Sequence, residues 1–176
     1  TILATGAWTS HIKIGDVPIP VSVKPVRGQM ISFRLPERQL HRVIYSPRGY
    51  LVPRADGRIL AGATVEDVGF DRGVTDGAVK GLTHSAIEMV PALGKFPISE
   101  TWAGLRPFAA DGLPVIGEID GLNGLLIATA HYRNGILLAP LTARLLADRI
   151  TNGRMSRYLQ VFSPRRIIEC GLNANA

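Results

Sequence analysis

Two arginine-bearing segments carry the most specific chemistry in the chain: Trp102-Ala103-Gly104-Leu105-Arg106-Pro107 and His131-Tyr132-Arg133-Asn134-Gly135-Ile136-Leu137-Leu138-Ala139-Pro140. Each sets a guanidinium beside a turn. Two guanidiniums brought to one pocket suit a small carboxylate, because the planar fork holds both oxygens at once. The second segment opens into an apolar run, so its first backbone N–H groups lie at a helix N-terminus, which favours an anion or an electron-rich ring. Arg106 precedes a proline and therefore sits on extended backbone, with its strand expected to end at Pro107. That is a rigid mount for a bidentate contact. Read alone, Arg106 serves equally well as a rim arginine paired with Glu100 or Asp111. Arg133 stands where a buried strand gives way to a helix, a place where ligands collect in α/β sheets. Asn134 can cap that helix and Tyr132 can simply pack.

Other reactive side chains are less specific. Tyr50 alternates in phase with a run of short strands and can present a phenol on the face opposite Leu51, or be an ordinary half-buried strand tyrosine. His131, alone at its strand end, reads as a hydrogen-bonded structural residue rather than a base. His11, His41 and His84 are not at metal-ligand spacing and Cys170 is remote, so no metal is expected. Ser85 and Ser156 lack the glycines of a nucleophile elbow. The formal net charge of +6 invites a nucleic-acid reading, but the basic residues are scattered among strand-like apolar ones. The one cluster, Arg154, Arg157, Arg165 and Arg166, reads as a solvated tail that packs on, or steers anions toward, another part of the molecule. No nucleic-acid partner is expected. No apolar run is long enough to span a bilayer, so no membrane partner is expected either. The single Cys170 excludes an internal disulfide and fits a reducing cytoplasm.

These residues need elements to hold them. Thr1 to Trp8 reads as a short buried strand ending at Gly6, resembling a strand cut away from a preceding turn. Val17 to Val21 is extended. Val26–Leu35, Val43–Tyr45, Tyr50–Pro53, Ile59–Thr64 and Ser99–Arg106 read as strands of an antiparallel meander. Ser46-Pro47-Arg48-Gly49 and Ala55-Asp56-Gly57-Arg58 are its turns. A helix capped by Thr75 or Asp76 buries Val79, Leu82, Ile87 and Val90 and stops at Pro91. Leu113–Ile116 and Leu125–Thr129 are further strands, the latter buried on both faces. A final helix with Ile136, Leu137, Leu141, Leu145, Leu146 and Ile150 on its apolar side closes at Asn152-Gly153. Pro140 falls in or just after its first turn, and a kink is expected there if the helix starts earlier.

The fold class is thus α+β, an antiparallel substrate-binding sheet with a flanking helix, plus the strands and final helix of an α/β layer. Residues 1–16 are assigned to that layer, 17–106 to the antiparallel domain, 107–167 to the return into the layer, and 168–176 to a tail. The layer reads as too small to be complete, so another chain or a further stretch of polypeptide is expected to cover it. This also suggests a second reading, a non-catalytic module that uses the incomplete sheet to bind a partner.

The two arginine segments, together with Ile2-Leu3-Ala4-Thr5-Gly6-Ala7-Trp8, Val26-Arg27-Gly28-Gln29, Tyr50-Leu51-Val52-Pro53-Arg54, Gly62-Ala63-Thr64, Asp111-Gly112-Leu113-Pro114-Val115-Ile116-Gly117 and Phe162-Ser163-Pro164-Arg165-Arg166, resemble the D-amino-acid oxidase family of FAD-dependent oxidoreductases. Within it the similarity is greatest to members that oxidise glycine in thiamine biosynthesis. The resemblance covers residues 1 to about 167 and implies the C-terminal half of such an enzyme. Its FAD-binding layer would be completed by a missing N-terminal half or another chain, and assembly of identical chains is left open. It implies oxidation of a small amino acid through hydride transfer to FAD, giving a keto acid, ammonia and hydrogen peroxide. By residue, it implies Arg106 as the carboxylate anchor, Tyr50 as a pocket phenol and Arg133 as a pocket or flavin-side charge. Arg133, Asn134, Gly135, Ile136 and Leu137 would lie against the flavin. Val65 departs from the methionine usual in glycine-specific members. With no cysteine between 106 and 117, FAD is expected to be non-covalent, and its binding by this chain alone weak or absent.

Overall fold

The computed structural model describes residues 1–36 and 40–167. The expected tail from 168, and Cys170 in it, lie outside the described residues. Among the described residues, ten strands and three α-helices follow one another as β1 (Ile2–Leu3), β2 (Lys13–Ile14), β3 (Val17–Pro18), β4 (Lys24–Arg34), β5 (Ile44–Ser46), β6 (Gly49–Pro53), β7 (Arg58–Gly62), α1 (Asp76–Met89), β8 (Ile98–Phe108), β9 (Val115–Glu118), β10 (Leu126–Thr129), α2 (Gly135–Asn152) and α3 (Arg157–Val161). Two compact units result. One is Arg27–Leu105; the other joins Thr1–Val26 to the described residues from Arg106 onward.

The first unit is built on a five-stranded sheet in the order β5-β6-β7-β4-β8. The Asp56-Gly57 turn sets the β6/β7 register, pairing Val52 with Leu60 and Tyr50 with Gly62. Alternation then sends Ile31, Phe33, Leu51, Ile59 and Ala61 to one face. There they pack with Leu82 and Ala86 of α1 and with Leu93 in a single core. Each large side chain so buried contributes about 1.5–3 kcal/mol. Thr75 caps α1 by accepting from the Ala78 N–H.

The second unit holds a three-stranded sheet, β1-β10-β9, with β1 parallel and β9 antiparallel to β10. Ile19, Val21 and Val23 belong to its core, with Val115, Ile119, Leu125 and Ile127. On another face Ile116 and Leu126 pack against Leu145 and Leu146 of α2 and Leu159 of α3.

Several expectations are corrected. The opening strand is only Ile2–Leu3, with Ile2 exposed; the chain then turns at Gly6 (φ 56°) into a 3-10 helix, Gly6–His11, that buries Ala7 and Thr9. The strand bearing Arg106 does not stop at Pro107 but runs to Phe108. It is the outer strand of its sheet, where a missing N–H need not break a ladder. Only part of the predicted α2 stripe is buried. Leu145 and Leu146 are covered, while Ile136, Leu137, Leu141 and Ile150 are exposed and Thr142 is buried instead. Pro140 lies inside α2, which continues past it to Asn152. The basic C-terminal cluster packs on the rest of its unit, one of the two roles its sequence allowed. Arg165 pairs with Asp120 and Arg166 with Asp111, and Leu159, between Arg157 and Arg165 in sequence, is buried.

Candidate active site

Tyr50, Gly62 and Met30 occupy one patch of the five-stranded sheet. Tyr50 on β6 pairs with Gly62 on β7, and Gly62 pairs with Met30 on β4. Position 62 has no room for a side chain: a Cβ there would stand 2.9 Å from Met30 Cε and 3.0 Å from Tyr50 Oη. Gly49 is constrained by both conformation and space, with φ at +144° and a Cβ that would lie 2.6 Å from the Gly62 carbonyl oxygen. Tyr50 is half-buried, stacks on Tyr45 with ring centroids 6.5 Å apart, and donates its hydroxyl to Met30 Sδ at 3.9 Å. A thioether is a weak acceptor, so the phenol keeps hydrogen-bonding capacity at the sheet surface. Sequence reading found Tyr50 but not Met30 or Gly62 as its neighbours; counting outward from a two-residue Asp56-Gly57 turn gives 50 opposite 63, whereas the loop formed closes Arg54 on Arg58 and so sets 50 opposite 62.

A buried charge lies in the same unit. Arg27 is 4% exposed. Its Nε donates to Glu66 Oε2 at 3.0 Å, and its Nη1 reaches Asp71 and the Gly73 carbonyl. Gln29 donates to Glu66 and accepts from the Thr75 N–H. Burial alone would raise the Glu66 pKa; hydrogen bonds from Thr64, Arg27 and Gln29 outweigh it and hold the carboxyl below its ordinary range. Asp71 is held low by the Gly73 N–H and by Arg27. The network fastens the 64–75 segment to β4. It was not anticipated from sequence, since its partners are 37 to 46 positions apart along the chain.

In the other unit the two arginine segments are joined through their aromatic neighbours. Phe108 and Tyr132 meet edge to face, centroids 5.0 Å apart and planes at 71°. Lys24 Nζ lies 5.7 Å from the Phe108 centroid. Arg106 is half-buried two residues before Phe108, so strand alternation puts both on one face of β8. Arg133 directly follows Tyr132, is exposed, and makes no ion pair among the described residues. Asp111 meets Arg166 at 2.6 Å and Glu100 meets Arg58 at 3.3 Å.

The turn carrying Arg133 is strained. Ala130 (φ 58°) and Tyr132 (φ 50°) both adopt the left-handed region, at about 1 kcal/mol or more each. Between them His131 is half-buried, with Nε2 2.9 Å from Thr142 Oγ1. Burial lowers the imidazole pKa and favours the neutral ring. Asn134, which could have capped the helix, does not: its side chain makes no capping hydrogen bond. Gly135, Ile136 and Leu137 lie in the first turn of α2, whose N–H groups have no partner within the helix. Ile136 and Leu137 are 97% and 77% exposed. Tyr50 thus belongs to one unit, and Arg106 and Arg133 through Leu137 to the other.

Residues 1–149 match the family model described as FAD dependent oxidoreductase. The chain is 42% identical over 153 residues to glycine oxidase of Pseudomonas aeruginosa, covering 87% of this chain and 42% of that protein. It is 40% identical over 172 residues to the bifunctional protein ThiO/ThiG of Synechocystis sp., covering 95% of this chain and 25% of that one. Among solved structures, glycine oxidase from Geobacillus kaustophilus superposes with a TM-score of 0.83 at 37% identity, covering 92% of this chain and 44% of the other. The chain therefore spans less than half the length of each of these relatives.

Proposed function

From the premise that the chain belongs to the FAD dependent oxidoreductase family, we propose that it forms the substrate-side portion of an FAD-dependent oxidase of glycine or a similarly small amino acid. The observation that carries the reading is the Phe108–Tyr132 contact, which ties the strand of Arg106 to the turn of Arg133. Two guanidiniums mounted on linked segments favour a carboxylate ligand. The relatives named glycine oxidase support the choice of substrate class. They give the partner-binding reading no support.

In this proposal Arg106 grips the substrate carboxylate and fixes the amine-bearing carbon. Arg133 supplies a second positive charge on the substrate or flavin side. For Tyr50 the proposed role is a phenol available to substrate on the antiparallel sheet. Orientation of this kind removes entropy from the reaction and is worth several kcal/mol of barrier. The residues present fit one end of FAD. The uncapped first turn of α2, with the side chains of Ile136 and Leu137 exposed beside it, suits the flavin ring and a negative charge on it, with Arg133 and Asn134 at its border. When bound, FAD would accept the hydride from the amine carbon and pass the electrons to oxygen. Among the described residues there is no glycine-rich strand–turn–helix for a pyrophosphate. We therefore assign that role to polypeptide beyond this chain. The domain roles follow the same proposal: the antiparallel sheet holds substrate, and the β1-β10-β9 layer belongs to the FAD-binding part. A cytoplasmic setting in thiamine biosynthesis is part of the proposal.

The test is anaerobic addition of glycine, N-methylglycine, D-alanine and D-proline to the full-length flavoprotein. Bleaching of the flavin by at least one, with peroxide formed in air, is the expected result. A flavin that none of them reduces would overturn the reading.

A further inference from the structure

We propose that His131 and Thr142 act together as a positioning pair that holds the Arg133 turn in its working conformation. The inference rests on the functional reading above and names residues to which that reading gives no role. The 130–132 turn contains two non-glycine residues in the left-handed region, Ala130 and Tyr132. Such a turn persists only where its surroundings over-determine it. Three contacts do so here. The Phe108 ring braces Tyr132 from one side. The His131 carbonyl accepts from the Asn134 N–H at 2.9 Å. The His131 imidazole reaches eleven positions ahead, to the buried hydroxyl of Thr142 at 2.9 Å.

The third contact does something the others do not. Pro140 lies between the two partners and lacks the N–H that would tie the second turn of α2 back to Ile136. The His131–Thr142 bond crosses this gap and fastens the turn to the part of α2 anchored in the core by Leu145 and Leu146. His131 and Thr142 also line one apolar groove with Ala128, Gly135, Ala139 and Leu146. Few polar groups stand near enough there to replace a lost partner. Removing the hydroxyl therefore releases the turn and lets Arg133 and Tyr132 leave their mount, while the core contacts stay.

Thr142→Val deletes the hydroxyl at constant shape and Thr142→Ser keeps it. Both are compared with the parent in the full-length flavoprotein, with acetate as an amine-free probe of the carboxylate site, read by perturbation of the flavin spectrum. Amide hydrogen exchange over residues 131–139 is followed in parallel. In T142V the acetate Kd and the KM for glycine are expected to rise about tenfold, with a smaller change in kcat. Exchange should quicken in the turn, and T142S should restore all three. Should T142V not fold, Thr142→Ala, which also lacks the hydroxyl, gives the same comparison. A parent reduced by glycine alongside a T142V that matches it in Kd and exchange would overturn this assignment alone. A parent whose flavin no small amino acid reduces would overturn the functional reading, and this assignment with it.

Discussion

The rings of Phe108 and Tyr132 meet edge to face with centroids 5.0 Å apart. Arg106 and Arg133 therefore stand on two segments that share an aromatic joint, although 27 positions separate them in the sequence. This relationship and other features of the two units give four measurable expectations.

Arg106→Ala in the full-length enzyme is expected to raise the KM for glycine and lower kcat/KM about a hundredfold, the equivalent of about 3 kcal/mol for a lost charge-assisted contact. Flavin content should stay at the parental level. Steady-state kinetics beside a flavin:protein absorbance ratio checks both. Normal turnover by the variant would remove Arg106 from the anchor role.

Gly62→Ala is expected to destabilise the antiparallel unit by about 1 kcal/mol or more, since the new methyl group meets Met30 Cε and Tyr50 Oη at about 3 Å. Denaturant titration reads the loss. Shortening the flexible neighbour, with Met30→Ala in the same chain, should recover part of it. Additive losses would mean that the two side chains do not share the space.

The Arg27 network sets an acid limit. Glu66 and Asp71 are both held below their ordinary carboxylate pKa values in the folded chain. Their contribution is fully present above the unfolded values of 4.5 and 3.8 and is lost as the pH falls through the lower folded ones. Stability measured at falling pH should therefore decline from about pH 4.5 downward. Glu66→Gln should flatten that decline, because it removes the titrating group. An unchanged acid limb in E66Q would show that other carboxylates dominate it.

The 176-residue chain, purified by itself, is expected to be colourless and to bind FAD weakly or not at all. The described residues offer contacts for the ring around Arg133 to Leu137 but no cradle for the phosphates. Fluorescence titration with FAD checks this, and a yellow preparation at one equivalent per chain would overturn it.

Local signals made much of this fold legible. Asp56-Gly57 fixed a hairpin, Thr75 a helix start and Gly153 a helix end, and each occurs where its chemistry points. The 3.6-residue rhythm of Leu145 and Leu146 likewise identified the buried side of α2. The same rhythm misjudged Ile136, Leu137 and Leu141, because apolar spacing records what a helix can bury and not how far its neighbour extends. Pro107 misled for a related reason: whether a missing N–H ends a strand depends on whether a neighbour needs it. At the site, Arg106, Arg133 and Tyr50 stood out through flanking glycines, prolines and turns. Met30, Arg27, Glu66 and Thr142 did not, since each acquires its partner through strand register or helix docking.

Pro107 also bears on how such chains associate. It lies on β8, the outer strand of the five-stranded sheet. An exposed strand edge is ordinarily a template on which a second chain can lay a strand of its own and continue the sheet from molecule to molecule. Pro107 has no N–H to offer such a strand. The interruption falls next to Arg106. The stretch of edge that carries the proposed carboxylate anchor is therefore a poorer template for an added strand.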